Sequence, residues 1–131
     1  MEQQARWWAV VAVMGGIFLL VTAEQLPIGL LSQIAREMGV SEGAAGLMVT
    51  VPGVVAAFAA PLLPVAVGRM DRRVMLTALM VAMTVGSVLS ALASSFVALL
   101  AARVLIGVSI GGFWAIAGSI APRLVPEQSV P

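Results

Sequence analysis

Four long apolar blocks, separated by short polar connections, constrain this chain more than any other feature. A helix needs about 20 apolar residues to cross a hydrocarbon core of about 30 Å, because it rises about 1.5 Å per residue. Four segments of the 131-residue chain meet that requirement: 7–31, 43–67, 74–94 and 96–121. Transmembrane β-strands would alternate apolar and polar residues, and these segments do not. The sequence therefore predicts an all-α integral membrane protein.

The composition narrows the classes of function. Only 10% of the residues are charged and 61% are hydrophobic, whereas about a quarter of a soluble domain is charged. This balance argues against a soluble enzyme and against a nucleic-acid partner, which would need a basic patch. The chain contains no Cys and no His, so we expect no metal centre, no cofactor and no Ser–His or Cys–His catalysis. The expected partners are the lipid bilayer and a small molecule.

The placement of arginine predicts the orientation. If the N-terminus lies inside, the inner side collects Arg6, Arg69, Arg72, Arg73 and Arg123, and the outer side has only Arg36. This asymmetry follows the positive-inside rule, so we expect a multi-pass protein of the inner or plasma membrane of the cell, with both termini cytoplasmic. Residues 21–23 could be read as a signal-peptide cleavage site. We interpret the first block as a true span, because the apolar pattern resumes over 26–31.

Two opposite charges fall inside the predicted spans. Glu24 lies about 10 Å below the outer end of the first helix, and Arg103 lies about 10 Å below the outer start of the fourth. At matched depth they form a natural pair. One interpretation is a structural ion pair that joins the two helices. The other is a protonatable carboxylate in a transport cavity with Arg103 as its partner, because intramembrane ionisable residues are functional by default.

The sequence next to Glu24 predicts an irregular helix. Pro27 has no N–H, so the carbonyl group of Ala23 loses its helical partner and the helix tends to kink. Together with Glu24 and Gln25 this carbonyl could form a polar pocket, which makes Gln25 a cavity candidate. Alternatively, the kink only shapes how the helices pack.

The fourth block carries a stripe of small residues headed by an arginine. The stripe recurs every four residues: Arg103, Gly107, Gly111, Ala115 and Ser119. Such stripes let helix backbones approach closely, so we expect Gly107, Gly111 and the adjacent Gly112 to pack against another helix. Phe113 and Trp114 are expected to face lipid or a cavity, and Trp114 could stack on a planar ligand.

The connections carry capping residues and charge. Ser41 is placed to cap the second span, and Glu42 is favourable for its helix dipole. The loop 68–73 holds Asp71, Arg72 and Arg73. Asp71 could simply cap the third helix and the arginines could only enforce topology. Alternatively, these charges form a switchable latch on the cytoplasmic side.

Four motifs resemble the major facilitator superfamily. Residues 22–31 (TAEQLPIGLL) resemble the first helix of its drug:proton antiporter type, and 70–76 (MDRRVML) resemble the end of its loop between helices two and three. Residues 103–115 (RVLIGVSIGGFWA) resemble its fourth-helix arginine-and-glycine motif, and 123–126 (RLVP) also fit. The pattern is most similar to bacterial purine-ribonucleoside and sugar efflux permeases. The loop departs from the family pattern, with Pro64 and Gly68 at the usual Gly and Asp positions and Asp71 at that of its second Gly.

This resemblance implies a fold of twelve helices in two six-helix halves with the site between them. It also implies a proton-coupled efflux antiporter of small organic solutes such as nucleosides, sugars or drugs. Proton coupling would map to Glu24 and Arg103, and a cytoplasmic gate to Asp71, Arg72 and Arg73. Protons and the remaining helices of the full-length transporter would then be further partners.

The length fits only part of such a fold. Four helices are a third of twelve, so we expect residues 1–131 to be the partial N-terminal bundle of a longer transporter. Two alternatives stay open. The chain could be a dimeric four-helix transporter of the small multidrug-resistance type, which also carries an essential Glu in helix one. It could also be a membrane scaffold without transport activity, in which Glu24 and Arg103 only hold helices together.

Overall fold

The protein is a bundle of long helices. A computed structural model describes the backbone of residues 2–124 and the side-chain environments of residues 4 and 6–119. Its helices in that range are α1 (Glu2–Gly29), α2 (Leu31–Met38), α3 (Glu42–Ala45), α4 (Leu47–Val67), α5 (Arg72–Leu92) and α6 (Phe96–Leu124). Four stretches are long and apolar enough to span a membrane: Arg6–Gly29, Glu42–Val67, Arg72–Leu92 and Phe96–Ser119. The predicted all-α membrane class is confirmed.

The first connection differs from its prediction. Residues 32–42 were expected to be a connection, but the chain leaves α1 at Gly29 and forms the short helix α2. Leu31, Ile34, Ala35 and Met38 point towards the bundle and are at least partly buried, while the intervening polar residues are exposed. This i, i+3, i+4, i+7 spacing is that of an amphipathic helix. Gly39 ends α2 with a φ of 66°, a conformation that favours glycine.

Local capping defines the other helix boundaries. The hydroxyl of Ser41 accepts a hydrogen bond of 3.1 Å from the backbone N–H of Ala44, which confirms the predicted cap. The short helix α3 and α4 meet at Gly46, whose backbone remains right-handed helical, so together they form the second span. At the opposite end of the bundle, the hydroxyl of Ser95 accepts from the N–H of Ala98 at 3.2 Å and starts α6 directly after α5. Helices α5 and α6 are therefore a tight hairpin.

Helix α6 occupies the centre of the bundle. In the most apolar 18-residue segment of this helix, 56% is buried inside the bundle, compared with 6% for the corresponding segment of α1. Its side chains Ile106, Ile110, Phe113 and Ala117 form one buried cluster with Leu20 of α1 and Met83 of α5. Phe113 was expected to face lipid or a cavity. It does not face lipid, because only 4% of it is exposed, but it does line a groove between α1 and α5. Its ring lies over Gly16 of α1, where an added Cβ would come 2.8 Å from the ring. Glycine at position 16 therefore provides the space that the ring fills.

The small-residue stripe of α6 lies against α4. A Cβ added at Gly107 would come 2.7 Å from the carbonyl oxygen of Pro52 and 2.8 Å from the Cβ of Val55. Beside the stripe, a Cβ at Gly112 would come 2.7 Å from Leu63. Real Cβ atoms do not approach other atoms this closely, so only glycine allows the two backbones their present separation. This close packing fixes the position of α6, and with it the position of Arg103.

Candidate functional site

Arg103 lies in the second turn of α6 and lines a cavity of about 550 Å³. The cavity lies at the end of the bundle where α1 and α5 finish and α6 begins, and α2 forms part of its wall. Most of its lining is apolar and comes from α1, α2, α4, α5 and α6. Its polar lining residues in the described part of the chain are Glu37, Ser87, Ser90 and Arg103. The size is within the about 300–1,000 Å³ that is typical of small-molecule sites.

Arg103 is almost fully buried, with 7% of its surface exposed. Its Nε atom has no hydrogen-bond partner among the residues that the structure describes. A guanidinium group has five N–H donors and no acceptor, and leaving a charged donor unpaired in an apolar setting is costly. Arg103 therefore contributes a charged group to the cavity wall, and its buried Nε has no partner among the described residues.

The expected ion pair between Glu24 and Arg103 is absent from the described structure, in which no carboxylate lies within salt-bridge distance of Arg103. The reason is the rotation of α1. Gly16, Leu20 and Pro27 are buried against the bundle, and Ala23, which falls on the same helical stripe, lines the cavity. Glu24 is about 100° further around the helix and is only half-buried. The depth of Glu24 along the helix axis does not indicate whether its side chain faces Arg103.

The two serines of α5 contribute acceptors rather than donors to the cavity. The hydroxyl of Ser87 donates to the carbonyl oxygen of Met83 at 2.9 Å. The hydroxyl of Ser90 donates to the carbonyl oxygen of Gly86, also at 2.9 Å. Since each hydroxyl proton is already used within the helix, the remaining lone pairs are available to a neighbouring donor.

Glu37 is a cavity residue that the sequence reasoning missed. It lies on α2, is exposed, and accepts a hydrogen bond of 3.0 Å from the amide of Gln33. The amphipathic spacing of α2 could have revealed that this segment folds back over the bundle. Glu37 therefore places a carboxylate at the exposed wall of the cavity that Arg103 lines from within.

The other cavity candidates from the sequence lie elsewhere. Gln25 is exposed and lines a shallow groove on the outer face of α1 together with Phe18, Leu26 and neighbouring residues. Trp114 is 45% exposed and points away from the core that the adjacent Phe113 joins. Pro27 is buried within the last turns of α1, two residues before this helix ends at Gly29. The structure therefore groups Arg103 with Glu37, Ser87 and Ser90 instead.

At the opposite end of the bundle, the charged loop joins α4 to α5 and lies beside the end of α6. The carboxylate of Asp71 accepts a hydrogen bond of 2.9 Å from the backbone N–H of Arg73 and caps α5. The guanidinium of Arg72 donates to the hydroxyl of Ser119 at 2.9 Å, and this hydroxyl donates to the carbonyl oxygen of Ile116 at 2.7 Å. Arg72 and Ser119 also line a second cavity of about 210 Å³.

Gly68 explains one departure of this loop from the family pattern. Its φ of +58° is in the left-handed region, where α4 ends and the chain turns towards α5. A residue with a side chain would be strained there, so an aspartate at position 68 is disfavoured by this backbone. The side-chain hydrogen bond from this charged region to α6 comes from Arg72, which donates to Ser119.

Comparisons with known proteins agree with this architecture. The sequence pattern of the Major Facilitator Superfamily matches residues 13–131. The chain is 40% identical over 125 residues to the purine ribonucleoside efflux pump NepI of Salmonella paratyphi A, and 41% identical to that of Escherichia coli O6:K15:H31. Each alignment covers 95% of this chain and 32% of the relative, so the chain spans about a third of these proteins.

No solved structure gives a significant match to the chain. The family pattern nevertheless covers nearly the whole sequence, and the four spans and their order agree with the first four helices of the family fold. The chain therefore belongs to the Major Facilitator Superfamily.

Proposed function

We propose that this chain is the N-terminal third of a proton-coupled antiporter that exports small organic solutes, with purine nucleosides as the first candidates. The observation that carries the proposal is the buried Arg103, which lines a cavity within the membrane-spanning bundle and whose Nε has no partner among the described residues. Ionisable residues at such depth are rare and mark transport pathways. The nucleosides are suggested by the relatives, which are named purine ribonucleoside efflux pumps.

Glu24 is the proposed proton-binding group. It is the carboxylate within the first span, it is half-buried, and its neighbour Ala23 lines the Arg103 cavity. A modest rotation or shift of α1 would turn Glu24 towards Arg103. This helix is the least packed of the spans, with only 6% of its most apolar window buried. Binding of a proton to Glu24 would then weaken its attraction to Arg103 and favour the facing observed here, so proton binding would be coupled to the conformation.

The orientation is part of the proposal. Arg6, Arg69, Arg72 and Arg73 all lie at the same end of the bundle as the loop between α4 and α5, whereas Arg36 lies at the end that holds the Arg103 cavity. By the positive-inside rule the first end is cytoplasmic, and the Arg103 cavity faces the outer side of the cell inner membrane. Asp71, Arg72 and Arg73 would then act at a cytoplasmic gate against the remaining helices of the full-length transporter.

The test is solute efflux by the full-length protein in membrane vesicles with an imposed pH gradient. Glu24→Gln should abolish pH-driven efflux of radiolabelled inosine while the protein still inserts into the membrane. Glu42→Gln is the matched control, because Glu42 is an exposed carboxylate at the start of α3 outside the Arg103 cavity. Unchanged efflux in Glu24→Gln would refute the coupling role. No efflux by the unmodified protein would favour the scaffold interpretation.

A further inference from the structure

The Arg103 cavity has a polarity that selects for one kind of ligand. Arg103 supplies a guanidinium group of a residue that is 7% exposed, and its Nε has no partner among the described residues. Glu37 and the serine oxygens of α5 supply acceptors, and Leu26, Leu99 and Ile106 are among the apolar walls. A ligand that fills it must present an acceptor to Arg103, donors to Glu37, and a flat or apolar body to the walls between them.

We propose that this cavity is a hydrated binding site, open at the end of the bundle where α2 lies, for a neutral heterocyclic solute of the purine nucleoside class. The ring nitrogen or carbonyl acceptors of the base meet Arg103, and the sugar hydroxyls donate to Glu37. This inference rests on the proposed function and adds a site within the first four helices to the site between the two halves of the fold.

The physical basis is the free-energy cost of burying the Arg103 guanidinium without water or protein partners. An intramembrane guanidinium faces protein partners or a water-filled cavity, because hydrocarbon cannot solvate its charge. The described residues give its Nε no partner, and about 550 Å³ is room for many water molecules at about 30 Å³ each. A solute that replaces some of this water and satisfies Arg103 therefore has a favourable exchange of hydrogen bonds.

Labelling of an introduced thiol tests whether the Arg103 cavity contains water. The 131 residues contain no Cys, so an introduced one is the only thiol in this part of the protein. Ser87→Cys places a thiol in the cavity, and Val88→Cys is the matched control, since Val88 is the next residue of α5 and is 52% exposed on the outside of the bundle. In membrane vesicles, a charged methanethiosulfonate reagent should modify Ser87→Cys about 100-fold faster than Val88→Cys, because hydrocarbon excludes the reagent.

Protection tests the ligand. Inosine at ten times its Kd should slow the labelling of Ser87→Cys about tenfold by mass action, whereas free ribose, which lacks the base, should not. Glu37→Gln should reduce the protection by inosine without reducing labelling itself. Glu37 is exposed, so this variant is expected to fold. Glu42→Gln, outside the cavity, should leave the protection unchanged.

The labelling and protection experiments each either support or overturn the proposed binding site. Absence of Ser87→Cys labelling would mean that protein or lipid fills the cavity, and labelling without inosine protection would mean that it is hydrated but binds no nucleoside. Both results overturn the inference. The proposed function fails separately: pH-driven inosine efflux without protection refutes only this site, and protection without pH-driven efflux refutes only the coupled transport.

Discussion

Gly111 of α6 lies directly against the backbone of Ala56 in α4. A Cβ added at Gly111 would come 2.5 Å from the carbonyl oxygen of Ala56 and 2.9 Å from its Cα. Both nearest atoms belong to a helix backbone, which cannot move away as a flexible side chain can. One turn earlier, Gly107 makes the same kind of approach to Pro52. The two glycines therefore set the distance between the central helix and the second span.

Gly111→Ala should destabilise the bundle by about 1–3 kcal/mol, the usual cost of overpacking a close contact. The matched control is Gly15→Ala in α1, where no described atom outside the adjacent part of α1 lies within 4 Å of the added Cβ. This control should be neutral or slightly stabilising, by up to about 1 kcal/mol, because alanine favours the helix over glycine. Thermal unfolding of the purified protein in detergent measures the difference. Equal midpoints for the two variants would contradict the packing role of Gly111.

Phe113→Ala should destabilise the bundle more than Trp114→Ala. Phe113 is 4% exposed and packs on Gly16, whereas Trp114 is 45% exposed. The loss should be at or below the about 3–5 kcal/mol that Phe→Ala costs in soluble cores, because lipid solvates apolar groups as well as the core does and only the packing is lost. The same detergent unfolding experiment tests it. A larger effect of Trp114→Ala would show that α6 is rotated relative to the arrangement described.

Substitutions of Asp71 separate a helix cap from a charged latch. Asp71→Ala removes the acceptor for the N–H of Arg73 and should cost about 1 kcal/mol of stability. Asp71→Asn should restore stability, because asparagine is an equally good N-cap. If the charge also serves a cytoplasmic gate, Asp71→Asn should still transport poorly. Full efflux by Asp71→Asn in vesicles would leave capping as the role of this residue.

Ser119→Ala removes the acceptor of the Arg72 guanidinium and should change stability by less than about 1 kcal/mol, because this hydrogen bond is exposed. Its effect is expected in conformational change rather than in folding, since the bond links the start of α5 to the end of α6. Efflux rates should change while the unfolding midpoint stays nearly constant. Ser119→Thr, which keeps a hydroxyl group, is the control and should behave like the unmodified protein. A matching loss in Ser119→Thr would contradict the hydrogen-bond explanation.

The spans and caps were predictable because they depend on local sequence. Twenty apolar residues cannot remain in water, whatever their neighbours, and Ser41 caps the second span through a bond only three residues long. The small-residue stripe also indicated a close helix contact before its partner was known. Such features follow from the spacing of residues along one segment.

The facing of individual side chains was not predictable in this way. Phe113 and Trp114 are adjacent and both aromatic, yet one is in the core and the other is half-exposed. The outcome depends on the rotation of α6 and on Gly16 in a distant helix, which leaves the space that the ring of Phe113 occupies. The spacing of apolar residues in α2 was sufficient to predict an amphipathic helix. It was not sufficient to predict that this helix forms part of the wall of the Arg103 cavity.

The sequence by itself determined that the chain crosses a membrane in four helices, that Ser41 caps the second of them, and that a charge in the fourth must be accommodated. Tertiary structure decided which groups surround that charge. It turned Ala23 rather than Glu24 towards the Arg103 cavity and brought Glu37 to its wall. The reason is that insertion and capping are properties of single segments, whereas a side chain's partners depend on the rotation and packing of several helices at once.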